Sequence, residues 1–152
     1  MIAAKADLDL DDGVGATALY ESIYNGFDDL SLLLIASDAK LDTKTGIYID
    51  GAGDITPLHR ATKSPRVLAA MLKRSASVNV KDTTGSTALH WAALASNEAS
   101  VKLLLEAGAD ANAKDDEGRT PAYWSRPYTK SEYRDAATRS IDRQLSEAQS
   151  KK

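Results

Sequence analysis

The sequence contains no cysteine and only two histidines among its 152 residues. Without cysteine, the chain cannot form a disulfide framework, a thiolate metal site or a cysteine nucleophile, which fits a reducing compartment. No apolar run approaches the roughly 18 residues needed to span a bilayer. The first residues, MIAAKADLDLDD, also lack the basic start and long apolar core of a signal peptide. These absences predict a cytoplasmic or nuclear protein with no membrane insertion.

The net charge is only −3, and it is unevenly distributed along the chain. Residues 1–50 carry −7, residues 51–100 carry +3 and residues 101–152 carry +1. Phosphate contacts need clustered lysine and arginine, so this distribution predicts no nucleic-acid partner. The acidic first third is typical of solvated turns, although it could also favour a basic patch on a partner.

One stretch, residues 82–112, sets the pattern for the rest of the chain. It reads DTTGSTALHWAALASNEASVKLLLEAGADAN. Thr87 precedes a short apolar segment, a polar break follows at Ser96-Asn97, and a second apolar segment ends before Gly108. This pattern predicts a helix, a tight turn, a second antiparallel helix and a glycine stop. A single helix pair cannot bury its apolar faces, so it needs copies on either side.

The stretch resembles an ankyrin repeat, whose pattern is D-x-x-G-x-T-[P/A]-L-H-x-A, then two helices and a closing G-A-D-x-N. The matching residues are Asp82, Gly85, Thr87, Ala88, Leu89, His90, Ala92, Gly108, Ala109, Asp110 and Asn112. The resemblance implies an all-α fold, a solenoid of antiparallel helix pairs with β-hairpin fingers. It also implies a protein-binding function on the concave surface of finger tips and inner helices.

The same spacing divides the chain into segments of a single domain, residues 1–152. They are a partial N-terminal repeat (1–11), repeat 1 (12–42), an extended finger (43–54), repeat 2 (55–81), repeat 3 (82–114) and a degenerate C-terminal capping repeat (115–149). The chain therefore enters the pattern in mid-repeat. We expect either a reduced N-terminal cap or a fragment of a longer array, and a monomer in solution.

Each repeat departs from the pattern somewhere. In repeat 1, Tyr20 takes the histidine position, and Asp38 replaces the closing glycine; a left-handed Asp38 would cost about 1 kcal/mol. Ala39 lies 17 residues before Thr56, whereas Ala76 lies 11 before Thr87, which predicts six extra residues in the second finger. Gly51-x-Gly53 in that finger lacks the context of a phosphate loop.

Two further departures concern helices. Repeat 2 is two residues shorter than repeat 3 between the motif threonine and the closing alanine, and we expect the deletion in the inter-helix turn at 63–65. In the last repeat, Ser125-Arg126-Pro127 should end the inner helix early. Residues 131–149 then show one apolar and one polar face, as a C-terminal cap requires. A partner-binding amphipathic helix is the alternative for this segment.

The sequence indicates no catalytic residue, no metal site and no cofactor. His59 and His90 both sit in the Thr-x-Leu-His motif, and in proteins that this chain resembles that imidazole ties the inner helix to the adjacent turn. A catalytic or zinc role would need convergent Asp, Glu or Cys partners, which the spacing does not supply. We therefore expect no enzyme activity.

The predicted partner-binding residues are those outside the structural pattern, at finger tips and on inner helices. They are Val14, Ala16, Tyr24, Asn25, Tyr48, Ile49, Ile55, Arg60, Thr84, Ser86, Trp91, Leu94, Glu117, Arg119 and Trp124. We expect Tyr24, Tyr48, Arg60 and Trp91 to be anchors, since aromatic residues and arginine dominate interface hot spots. For Trp91 and Trp124, we expect packing against the neighbouring repeat as the main role, with partner contact as the alternative that can coexist with it.

The predicted function is a protein-interaction module or scaffold with a protein partner of unknown identity. The alternative is a regulatory or substrate-recruiting ankyrin segment of a larger enzyme, channel or effector, whose activity lies outside these residues.

Overall fold

The protein is described here by a computed structural model that covers residues 6–46, 52–125 and 136–150. These residues form eight α-helices and no strand: α1 (Ala18–Tyr24), α2 (Asp28–Ala36), α3 (Pro57–Ala61), α4 (Pro65–Lys73), α5 (Ala88–Leu94), α6 (Glu98–Glu106), α7 (Pro121–Trp124) and α8 (Ala136–Gln149). Inner helices α1, α3, α5 and α7 alternate with outer helices α2, α4, α6 and α8. The all-α solenoid predicted from the sequence is confirmed.

Each inner helix begins immediately after a motif threonine. Thr17, Thr56, Thr87 and Thr120 all have extended backbone angles immediately before a helix. Threonine suits this position because its side chain can accept a hydrogen bond from an amide that the helix leaves unpaired. The Thr17 hydroxyl does so with the N–H of Tyr20 at 3.3 Å. The four threonines therefore fix where each inner helix starts.

The helix pairs stack so that each outer helix packs against the next, α2 on α4, α4 on α6 and α6 on α8. The buried apolar residues form one continuous core along this stack, which includes Leu19, Leu58, Met71, Leu104 and Leu145. The third residues of α4 and α6, Val67 and Ser100, are fully buried, and the hydroxyl of Ser100 donates to the carbonyl oxygen of Thr62 in the preceding repeat at 2.8 Å. No repeat could bury this surface alone, so the stacking supplies most of the stability.

The first three fingers are loops closed by single bridges, Asp11 to Thr17, Thr45 to Ile55 and Lys81 to Thr87. The fourth finger, residues 115–119, is closed by the hydrogen bond from the N–H of Asp115 to the carbonyl oxygen of Arg119 at 3.0 Å. Neighbouring fingers hydrogen-bond through their backbones. The N–H of Asp116 donates to the carbonyl oxygen of Thr84 at 3.0 Å, for example. A side chain at Gly85 would meet the backbone of Asp116 at 2.9 Å, so this approach requires glycine. The fingers therefore form a continuous edge beside the inner helices.

The second finger has the predicted extra length. The N–H of Thr45 donates to the carbonyl oxygen of Ile55 across residues 46–54, whereas the N–H of Asp82 donates to Ser86 across residues 83–85. The second loop is thus six residues longer than the third, as the spacing predicts. Residues 47–51 of this finger lie outside the described residues.

The two-residue deletion in repeat 2 is not where we predicted it. Three residues separate the helices in each of the first three pairs, at 25–27, 62–64 and 95–97. Instead, α3 has five residues where α1 and α5 have seven. The turn keeps its length because its residues connect the inner helix to the start of the outer one, where Ser64 and Asn97 accept hydrogen bonds as caps. The prediction of a shortened turn was wrong.

Near both ends, the described residues contact the neighbouring repeat. The carboxylate of Asp9 accepts the N–H of Lys40 at 2.8 Å, in the same way that Asn79 accepts the N–H of Asp110 at 2.9 Å. At the other end, α7 stops at Trp124, and α8 buries Ile141 and Leu145 against the preceding repeat. The first part of the predicted last helix, 131–135, lies outside the described residues.

Candidate functional site

The two histidines are held by the fold on both ring nitrogens. Nδ1 of His59 accepts the N–H of Thr56 at 3.2 Å, and its Nε2 lies 3.2 Å from the carbonyl oxygen of Ser86. His90 repeats these contacts with Thr87 and Arg119, at 3.1 Å in both cases. A nitrogen that accepts from an amide and a second that faces a carbonyl define the neutral tautomer protonated at Nε2. Each imidazole thus joins its own repeat to the next finger, as the resemblance implied.

Burial lowers the pKa of both imidazoles below the ordinary histidine value. The effect outweighs the nearby carboxylate of Asp82, which by itself would raise the pKa of His59. Neutral rings with both nitrogens occupied are poor candidates for general acids or bases. The described residues also contain no group of three or more His, Asp or Glu side chains that could hold a metal ion.

Aspartates at the base of the third and fourth fingers hold the two tryptophans. The indole N–H of Trp91 donates to Oδ2 of Asp82 at 2.9 Å, and that of Trp124 donates to Oδ2 of Asp115 at 3.0 Å. In both fingers, Oδ1 of the aspartate accepts backbone N–H groups of its own loop. Each tryptophan is therefore tied to the finger of its own repeat.

Asp115 also pairs with Arg119, whose Nε lies 2.7 Å from Oδ2. Burial alone would raise the pKa of Asp115, but hydrogen bonds from Arg119 and from Trp124 hold it below the ordinary value. The carboxylate thus remains ionised at neutral pH and fixes the edge of Trp124 beside the finger. The Arg119 guanidinium also lies 5.3 Å from the Trp124 ring centroid, within the range of a cation–π contact.

A groove of about 570 Å³ runs between the third and fourth fingers and the inner helices α5 and α7. Trp91 and Trp124 form part of its wall, and Leu94 beside them is 59% exposed. The full lining consists of Ala52, Asp82, Thr83, Thr84, Trp91, Leu94, Asp116, Glu117, Arg119 and Trp124. It combines aromatic and aliphatic surface with charges of both signs at its rim.

The groove brings together six of the predicted partner-binding residues, Thr84, Trp91, Leu94, Glu117, Arg119 and Trp124. Three others lie in repeat 1 and do not line it. Val14 is 50% exposed, Tyr24 is 54% exposed, and the exposed Asn25 ends α1 and donates to the carbonyl oxygen of Glu21. Tyr48 and Ile49 lie outside the described residues.

Four of the predicted residues are buried, so the expectation that they face solvent was wrong. Ala16, Ile55 and Ser86 immediately precede the motif threonines, and their carbonyl oxygens accept the hydrogen bonds that close the fingers. Arg60 is only 5% exposed because its guanidinium lies near the rings of Tyr24 and Trp91. A position that lies outside the repeat motif is therefore not necessarily exposed.

The sequence reading missed the role of the finger aspartates in holding the tryptophans. A signal was present, because Asp82 and Asp115 each stand nine residues before their tryptophan. It also missed the groove on the other side of the solenoid. That groove, of about 700 Å³, lies between α6 and α8 and is lined by Lys102, Leu105, Glu106, Ala109, Gln144, Glu147 and Ala148.

Stacked helix pairs joined by short fingers define an α-helical solenoid protein. The chain contains ankyrin repeats, since its residues 46–115 match the family model for ankyrin repeats (3 copies). It is 36% identical over 110 residues to Inversin from Canis lupus familiaris and 34% identical over 110 residues to Inversin from Homo sapiens. Both alignments cover 70% of this chain but 10% of the relative. The chain thus spans about a tenth of the length of these curated relatives.

Among the described residues, no helix has both the length and the apolar character needed to cross a membrane.

Proposed function

We propose that this chain is a protein-interaction module that binds its partner in the groove between the third and fourth fingers. The observation that carries the proposal is the groove itself, where Trp91, Trp124 and the exposed Leu94 line one concavity. Large apolar side chains that remain partly open to solvent are typical anchors of protein interfaces. Ankyrin repeats are in general protein-interaction modules, which supports the same reading.

The rigidity of the groove also favours binding. The indoles are held by Asp82 and Asp115, so their rings need little further ordering when a partner arrives. Preorganised side chains lose less entropy on association, and more of the contact energy is retained as affinity. The rim adds Glu117 and Arg119, which can align polar groups of the partner.

The test compares two exposed leucines. Leu94 in the groove is 59% exposed, and Leu33 on α2, away from the groove, is 62% exposed. We expect Leu94→Asp to abolish capture of a specific set of proteins from a cell lysate, because a charge in the groove opposes burial by a partner. The Leu33→Asp variant should capture the same set as the wild type. Quantitative mass spectrometry of the retained proteins reads out the result.

Both substitutions are at exposed positions, so they should change the free energy of unfolding by less than about 0.5 kcal/mol. Equal capture by the wild type and the Leu94→Asp variant would overturn the proposed location of the binding surface.

A further inference from the structure

The second finger differs from its neighbours at the position of the finger aspartate. In the third and fourth fingers, the N–H of Asp82 donates to Ser86 and that of Asp115 donates to Arg119, the residues just before the motif threonines. In the second finger, the equivalent bond runs from Thr45 to Ile55. Thr45 therefore occupies the place that a buried aspartate occupies in the two following repeats.

Repeat 2 also lacks the tryptophan that donates a hydrogen bond to this aspartate in repeats 3 and 4. Trp91 and Trp124 each stand four residues after a motif threonine, and the residue at this place in repeat 2 is Arg60. Repeats 3 and 4 thus pair an aspartate with an indole N–H, at 2.9 and 3.0 Å. Repeat 2 has a guanidinium at the donor position and a hydroxyl in place of the carboxylate.

With Thr45 in place of the aspartate and Arg60 in place of the tryptophan, buried polar atoms are left without hydrogen-bond partners. Within the described part of the chain, Nη2 of Arg60 and Oγ1 of Thr45 are buried and have no hydrogen-bond partner. Only 5% of the surface of Arg60 is exposed, and Thr45 is fully buried. A buried guanidinium without a counter-charge is unfavourable, and in native proteins such groups are normally paired.

The contacts that Arg60 does make are not anionic. Its Nε donates to the hydroxyl of Tyr20 at 3.3 Å, and its guanidinium carbon lies 5.0 Å from the Tyr24 ring centroid and 5.3 Å from that of Trp91. Cation–π contacts offset part of the cost of burial but do not satisfy the remaining N–H groups. No described carboxylate forms an ion pair with Arg60.

We infer that Arg60 and Thr45 form a receptor for a carboxylate group, supplied by an aspartate or glutamate side chain of the protein partner. This inference rests on the proposed function, because Trp91 joins Arg60 to the groove. The carboxylate takes the place that Asp82 and Asp115 fill in the following repeats. It reaches Arg60 when the Tyr24 ring, 54% exposed, turns aside, which is a motion open to a surface side chain.

The test selects peptides from a random displayed library against the full chain, with four variants in parallel. Peptides selected by the wild type should carry Asp or Glu at one fixed position. Selection against Arg60→Met should lose that preference. Thr45→Asp should lose it too, because it supplies the carboxylate from within the chain, whereas Thr45→Asn should retain it as an uncharged control of similar size.

The same preference should appear in measured affinities. A selected peptide should bind the Arg60→Met and Thr45→Asp variants at least about tenfold more weakly than the wild type, the scale of one charge-assisted hydrogen bond. Changing the acidic residue of the peptide to its amide should weaken binding to the wild type by a similar factor and leave binding to Arg60→Met unchanged. Equal acidic preference in the wild type and Arg60→Met would overturn the inference.

The fourth variant, Asp50→Asn, tests a carboxylate of the inserted finger itself. If Asp50→Asn binds the selected peptide with the affinity of the wild type, the inference is supported. A higher affinity of Asp50→Asn would overturn the inference, because it would show that Asp50 already forms an ion pair with Arg60. Selected peptides that lose binding to Leu94→Asp but show no acidic preference would contradict this inference and leave the proposed function standing. If the library yields no peptide, the inference fails, and the lysate comparison decides the proposed function separately.

Discussion

His59 and His90 show how single residues carry the repeat architecture. Each ring uses one nitrogen within its own repeat and the other on the next finger, while its side chain is completely buried. Tyr20 takes this place in repeat 1 and receives the Nε–H of Arg60 instead. The sequence motif was sufficient to predict the structural role of the histidines, because their hydrogen bonds depend on backbone atoms that every repeat provides.

Because of the buried histidines, the protein should be less stable at acidic pH than at neutral pH. Their pKa values are lowered in the folded protein, so the unfolded chain binds protons that the folded chain does not, beginning near the ordinary value of 6.5. The contribution is present above that pH and is lost as the pH falls below it. We expect the free energy of unfolding, measured with urea, to be lower at pH 5.5 than at pH 7.5.

A His90→Asn variant is the control for this prediction. Removing one titrating ring should reduce the change in stability between the two pH values, even though the variant is less stable at both. An unfolding free energy that is constant or rises as the pH is lowered would contradict the neutral, buried state of the rings.

Among individual side chains, the sequence indicated several residues that share a groove but did not indicate which of the others are buried, and their role in binding stays a prediction. Leu94, Glu117 and Trp124 do line a common groove. Ile55 and Ser86 lie outside the repeat motif, and the motif therefore did not predict that they are buried. Their position is fixed by hydrogen bonds of their backbone carbonyl oxygens, which do not depend on the type of side chain. The burial of Arg60 depends on rings from repeats 1 and 3, and sequence spacing does not place those rings around it.

The helices themselves followed from local signals. The motif threonines set the starts, and the residues after the outer helices, Asp38 among them, adopt the left-handed conformation. Asp38, Ser75 and Gly108 occupy this place after α2, α4 and α6, with φ of 75°, 60° and 87°. The shortening of α3 was harder to predict, because spacing gives the number of missing residues but not the element that lost them.

These helix ends provide a matched pair of substitutions. Ser75→Gly should stabilise the protein by about 0.5–1 kcal/mol, since a non-glycine residue is strained at positive φ. Gly108→Ser should destabilise it by a similar amount, because nothing lies within 4 Å of an added Cβ there and the backbone angle alone decides. Thermal unfolding of both variants checks the prediction. Effects of the same sign for the two would contradict it.

The whole molecule has two unlike ends. At the C-terminal end, α8 covers the last repeat with Ile141 and Leu145, both fully buried. At the other end, Leu30 and Leu33 on α2 are 46% and 62% exposed, although the residues equivalent to Leu30 in the next repeats are fully buried. Stability should therefore be lowest in repeat 1, since its helices have a neighbour on one side among the described residues.

Among the described residues, the groove between the third and fourth fingers and the groove between α6 and α8 lie on different sides of the solenoid, and the first is the proposed binding surface. The concave groove is walled by tryptophans held in place by aspartates, whereas the groove between α6 and α8 is the larger of the two. Size alone would favour the second. We favour the first because its aromatic walls are preorganised, and affinity depends on such anchors more than on area.

Hydrogen–deuterium exchange of the free protein and of its complex with a captured partner distinguishes these surfaces most directly. We expect slower exchange on binding in residues 82–95 and 115–124, which form the third and fourth fingers with α5 and α7. Exchange in α6 and α8 should remain unchanged. Protection confined to residues 98–106 and 136–149 would contradict the concave binding surface.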